Sequence, residues 1–122
     1  MKSCAPPWNG YRYDRWIAYG QSKTANALFA VSLDEIGERD GIRAFSVHPG
    51  GVIIDLVRFM TTEEVRAYGV LDEHGRPVID PARNMKTPEQ GAATSIWCAT
   101  SSQLEGRGGV YCEDFDIAIP AI

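Results

Sequence analysis

From Arg15 to about Arg39 the apolar residues recur at helical spacing, which predicts one long helix. At about 100° per residue, Ala25, Phe29, Leu33 and Ile36 share one stripe, and Tyr19, Lys23, Asn26 and Ala30 share the adjoining one. The first stripe is the expected buried face, with the polar pair beside it. Asp14 is the expected N-cap, and Gly41 in "RDG" the stop. The run Ile42 to His48 then switches to apolar and β-branched residues and is cut off by Pro49, Gly50 and Gly51, the pattern of a buried parallel strand that ends in a loop.

Two capping boxes follow. Thr61 with Glu64 opens a short helix closed by Gly69, and Thr87 with Gln90, Pro88 holding the first helical position, opens one that runs to about Ser101. The stretch "VLDEHGRPVIDPARNMK" between them reads as loop. A last strand, about Gly109 to Glu113, follows a glycine cluster, and residues 1 to 13 read as irregular. The order helix, strand, helix, strand predicts a parallel α/β layer with only two strands.

The chain has 122 residues, 44% of them apolar, enough for the core of a single domain spanning 1–122. A formal charge of -4 with no basic stripe argues against a nucleic-acid partner. No segment reaches the roughly 20 apolar residues of a membrane span, so the expected location is the cytoplasm. Cys4, Cys98 and Cys112 are odd in number and unpaired in spacing, so free thiols are expected. With only His48 and His74 as imidazoles, far apart in sequence, no metal site is expected.

Candidate chemistry sits on the long helix, in "AYGQSKTANALFAVSL". Residues at i and i+4 bring Tyr19 and Lys23 to one face, with Cβ atoms about 5–6 Å apart. A free phenol, with a pKa of about 10, is a poor base at neutral pH, and a nearby cation favours its ionised form. Such a pair can exchange a proton with an alcohol oxygen. Tyr and Lys at this spacing are also common on ordinary helices, so spacing alone decides little.

The string "YGQSKTANAL", followed after a helix and a strand by "SVHPGGV", resembles the short-chain dehydrogenase/reductase family, in particular its retinol-dehydrogenase-like branch. The resemblance runs from about Trp8 onward and corresponds to the C-terminal half of that family's doubly wound, Rossmann-type α/β domain. It implies that Tyr19 is the general acid/base toward a small-molecule carbonyl or alcohol. It implies that Lys23 steadies the phenolate and hydrogen-bonds the nicotinamide ribose, and that Pro49, Gly50, Gly51 and Val52 close over the nicotinamide of NAD or NADP. The implied activity is hydride transfer between NAD(P)H and a carbonyl.

The chain departs from the family pattern in three places. Ile54 stands where relatives commonly carry a cofactor-contacting threonine. Nothing before Tyr19 is long enough for the nucleotide-binding βαβ unit, whose Gly-rich turn holds the pyrophosphate. Ala5, Pro6 and Pro7 occupy the usual place of the catalytic serine, and Ser3 is not assigned to that role. The chain alone is therefore expected to be inactive and to bind the cofactor weakly or not at all.

The remaining candidates carry structural expectations. His48 should be a hydrogen-bonded structural histidine, and Asn26 a packing and capping group. Ser22 could face either the core or the cofactor. Phe59, Met60, Tyr68 and Val70 read equally as a substrate lid or as packing under a loop. A two-stranded layer should expose a sheet edge and part of the long helix. The expected partners are then a second copy of the chain or a complementary N-terminal half, and the alternative function is a non-catalytic interaction module.

Overall fold

A computed structural model describes residues 13–119, so the expectations for Ser3, Cys4 and residues 1–12 lie outside the described residues. Helix α1 spans Arg15–Gly37. It starts where expected, because the Asp14 carboxylate accepts from the amides of Trp16 and Ile17, at 2.8 and 3.0 Å. A short 3-10 turn, Glu38–Asp40, leads to Gly41 at φ 73°, the left-handed stop that the sequence indicates.

Strand β1 is Ser46–His48, shorter than the expected Ile42 to His48. A strand lasts only as long as its partner. Opposite residues 42–45 the chain turns through Gly106 and Gly109, at φ 71° and 67°, before β4 begins at Tyr111. Strand β4, Tyr111–Glu113, pairs parallel with β1 in the register Ser46 to Tyr111 and His48 to Glu113, which gives the expected parallel layer.

The count of two strands is corrected to five short ones among the described residues. Asp114 and Phe115, both at positive φ, fold the chain back so that β5, Asp116–Ile117, pairs antiparallel with β4. A separate parallel pair joins β2, Gly51–Val52, to β3, Met85–Lys86. The segment read as loop therefore contains β3, a bridge between Leu71 and Pro77, and a 3-10 turn, Pro81–Arg83. Helix α2, Thr62–Ala67, and helix α3, Pro88–Thr100, both begin with the capping boxes that the sequence indicates.

The buried face of α1 is not the expected one. Ala30, Asp34 and Gly37 are buried, whereas Phe29 and Ile36 are each 66% exposed and Leu33 is 39% exposed. An ion pair selects this face. Arg43 donates through Nε and a terminal nitrogen to the two carboxylate oxygens of Asp34, at 2.9 and 2.7 Å, and the Ala44 amide donates to the same carboxylate at 2.9 Å. Arg43 also reaches Glu38 at 3.0 Å. A buried carboxylate must be paired, so the face carrying Asp34 turns toward the start of the strand segment. The Arg43 hydrogen bonds, followed by that of the Ala44 amide, hold the Asp34 carboxyl below the usual carboxylate range against the opposing effect of burial.

Helix α3 covers β1 and β4 on another side, where Phe45 and Val47 line a groove with Ser95, Cys98 and Ala99. Ala44, Val65, Met85, Leu104 and Cys112 complete the core. The edge of β1 away from β4 has no strand partner among the described residues.

Candidate functional site

Asp34 is held beside Arg43 and Ala44 and the chain reverses at Gly41, so α1 runs opposite to the segment that leads into β1 and its N-terminal half lies toward the end where β1 finishes. Tyr19 and Lys23 lie on that half of the helix, and the Pro49 to Val52 loop leaves β1 at the same end. The Lys23 ammonium stands 5.3 Å from the centre of the Tyr19 ring, so the continuous helix brings these two candidates together. Tyr19 is 48% exposed and Lys23 is exposed. Among the described residues neither makes a side-chain hydrogen bond or an ion pair, which leaves the phenol and the ammonium available to a ligand.

The neighbouring hydroxyls are not available in the same way. Ser22 donates to the Tyr19 carbonyl at 2.7 Å and Thr24 to the Gly20 carbonyl at 3.0 Å, so both are spent on the helix backbone. Of the two faces expected for Ser22, the core is excluded, since its side chain is exposed. Asn26 is exposed rather than packed, and the first buried residue of α1 is Ala30, one turn further along.

The loop of Pro49, Gly50, Gly51 and Val52 is held from beneath. The Gly50 amide donates to His48 Nδ1 at 3.2 Å, and the Gly51 amide to the Asn84 carbonyl at 2.7 Å. His48 is therefore the hydrogen-bonded structural histidine that was expected. Gly50 sits at φ 85°, and a Cβ there would lie 2.8 Å from both Asn84 Oδ1 and Lys86 Cδ, so only glycine fits. Lys86 runs its stem past Gly50 and pairs its ammonium with Asp114 at the β4–β5 turn. Val52 packs against Gly91 of α3, where a Cβ would come within 2.6 Å of it.

The residues read as lid or packing divide. Phe59 is 68% exposed, and Met60 and Val70 are half-buried. Tyr68, about half exposed, lies against Trp16, ring centres 5.6 Å apart. Ile54, at the place of the expected threonine, is exposed.

Sequence reasoning missed Asp34, Arg43 and Trp16. One signal was available for Asp34: it lies eleven residues, about three turns, beyond Lys23 and so on the same face. Cys98 and Cys112 are free thiols, and burial, with Cys98 beside it, pushes Cys112 up to about 12, where it is no nucleophile. No group of three metal-ligating side chains is found among the described residues, nor a helix long and apolar enough to cross a membrane.

The chain is similar to several curated proteins. A Streptomyces antibioticus protein named "Probable oxidoreductase" is 45% identical over 84% of this chain and 33% of its own length. The short-chain dehydrogenase/reductase prx1 of Penicillium rubens is 34% identical over 88% of this chain and 30% of its own length. The WW domain-containing oxidoreductase of Gallus gallus is 33% identical over 89% of this chain and 24% of its own. The chain thus spans a third or less of the length of these relatives. No protein-family model and no solved structure matches it.

Proposed function

Because the chain belongs to the short-chain dehydrogenase/reductase family, we propose that it carries the proton-transfer end of an oxidoreductase site that interconverts a carbonyl and an alcohol. The observation that carries this reading is the Lys23 ammonium 5.3 Å over the exposed Tyr19 ring, at the end of the molecule where β1 gives way to the Pro49 to Val52 loop. In the reducing direction the Tyr19 hydroxyl donates its proton to the carbonyl oxygen. The Lys23 ammonium then stabilises the negative charge left on the phenolic oxygen. In the oxidising direction the phenolate takes the proton back from the alcohol.

A bound NAD(P)H would supply the hydride that the carbonyl carbon receives. The residues present fit one end of such a cofactor. Lys23, with no side-chain partner among the described residues, would donate to ribose hydroxyls, and the Pro49 to Val52 loop, its Gly50 and Gly51 amides already donated to His48 and Asn84, would lie against the nicotinamide. The pyrophosphate end is not matched: among the described residues no strand leads through a Gly-rich turn into a helix. We assign the rest of a Rossmann-type domain to a complementary N-terminal segment, joined to this one or supplied as a second chain.

The test is a fusion of the N-terminal two-thirds of the Streptomyces antibioticus relative to this chain, assayed for carbonyl-dependent oxidation of NADH and NADPH. Activity that Tyr19→Phe lowers by a factor of about 10² to 10⁴ is expected. An active fusion indifferent to Tyr19→Phe would refute the acid/base role. The 122-residue chain alone should bind either cofactor at about 1 mM or weaker, since a few exposed contacts offset little of the association cost. Micromolar binding by calorimetry would show a cofactor site complete within this chain.

A further inference from the structure

The N-terminal turn of α1 carries a second structure that faces the same way as the Tyr19 and Lys23 pair. Trp16 lies three residues before Tyr19 and seven before Lys23, so the three side chains form one line along the helix. Helix α2 is fixed beside this line. Its Glu64 pairs with Arg15, and the same carboxylate closes the capping box by accepting from the Thr61 amide at 2.8 Å. Its last turn is clamped from the far side, where Arg83 donates to the carbonyls of Tyr68 and Gly69 at 3.1 and 3.3 Å.

These anchors hold the Tyr68 ring against Trp16, with centres 5.6 Å apart and planes inclined by 57°. The packing leaves much of both rings open: Trp16 is 45% and Tyr68 51% exposed. Two large rings held in place by an ion pair and hydrogen bonds around them, yet left half bare beside an acid/base candidate, have surface to offer a ligand. Arg15, paired with Glu64, holds its guanidinium over the Trp16 ring, 5.2 Å from the ring centre, so part of the indole is covered by a paired cation and the bare remainder of the two rings is the surface left to a ligand.

We propose that Trp16 and Tyr68 form the specificity wall of the site and select carbonyl or alcohol substrates that carry a flat aromatic group next to the reacting carbon. The proposal rests on the acid/base reading of Tyr19, which sets where the carbonyl oxygen must lie. The ring of the substrate then lies against the wall, one helical turn nearer the N-terminus. The interaction is that of one aromatic pair, which amounts to a preference of about three- to tenfold over a saturated ring of the same size.

The experiment needs no cofactor, so its failure is separable from failure of the reductase reading. The 122-residue chain is titrated with acetophenone and with cyclohexyl methyl ketone while the indole N–H signals of its three tryptophans are followed by NMR, Trp16 being assigned from Trp16→Phe. Saturable shifts at Trp16, with acetophenone bound about three- to tenfold more tightly, are expected. The preference should vanish in Trp16→Ala and weaken in Tyr68→Leu. Equal binding of the two ketones, no saturable shift at Trp16, or a preference that survives Trp16→Ala would each overturn the proposal. If Trp16→Ala does not fold, Tyr68→Leu alone decides, and an unchanged preference there counts against the wall.

Discussion

Tyr19 and Lys23 lie in line with Ala30 and Asp34, each eleven residues and about three turns further along α1, yet the first two side chains are exposed and the second two are buried. One helix face thus serves two ends. Its C-terminal half is locked to the strand segment through Asp34, Arg43 and the Ala44 amide, and its N-terminal half carries Tyr19 and Lys23 with no side-chain partner among the described residues. A carboxylate is buried and two large apolar residues, Phe29 and Ile36, are exposed, because burial depends on which neighbour reaches a face and not on the polarity of that face alone.

The sharpest way to break the comparison is to exchange the consequences of the two halves. In the active fusion described above, Tyr19→Phe should lower turnover by a factor of about 10² to 10⁴ and leave the melting temperature of the chain unchanged, since the hydroxyl holds nothing in place. Asp34→Ala should do the reverse in the chain alone, lowering the melting temperature by orphaning Arg43 and the Ala44 amide. If Tyr19→Phe proved the more destabilising of the two by calorimetry, the division of the helix would be wrong.

Glycines give a second contrast. A Cβ at Gly37 would sit 2.9 Å from the Cβ of Ile42, whereas at Gly20 it would meet nothing within 4 Å. Gly37→Ala should therefore cost about 1–3 kcal/mol through overpacking. Gly20→Ala, in the open half, should stabilise the helix by about 0.5–1 kcal/mol. Urea melts of the two variants measure both, and the same sign for the two would contradict the comparison. A comparable but smaller loss, about 1 kcal/mol, is expected for Asp14→Ala, which removes the cap of the exposed half.

Acid gives the subtlest test. The folded-state Asp34 carboxyl is held below the usual carboxylate value of about 3.9, so its contribution to stability is complete above that value and is lost as pH falls through the lower folded-state value. Nothing changes at neutral pH. In melts below about pH 4, the wild-type chain should lose stability more steeply than Asp34→Ala. Parallel pH profiles would show that Asp34 is not the carboxylate responsible.

Much of this molecule is legible in its sequence wherever the deciding contacts are local. The start of α1 at Asp14 and both capping boxes depend on side chains reaching backbone groups no more than about three residues away, and the stop at Gly41 depends on the left-handed φ that glycine adopts freely. The meeting of Tyr19 and Lys23 depends only on helix pitch. Tertiary structure decided the rest. The face of α1 that is buried followed from Arg43, nine residues beyond Asp34 across a turn, and the length of β1 followed from where the chain near Gly106 to Gly109 allows β4 to begin. The pairing of β2 with β3, the packing of Asn84 and Lys86 against Gly50 and the tilted contact of Tyr68 with Trp16 join residues more than thirty positions apart, and no local pattern encodes which distant partner arrives.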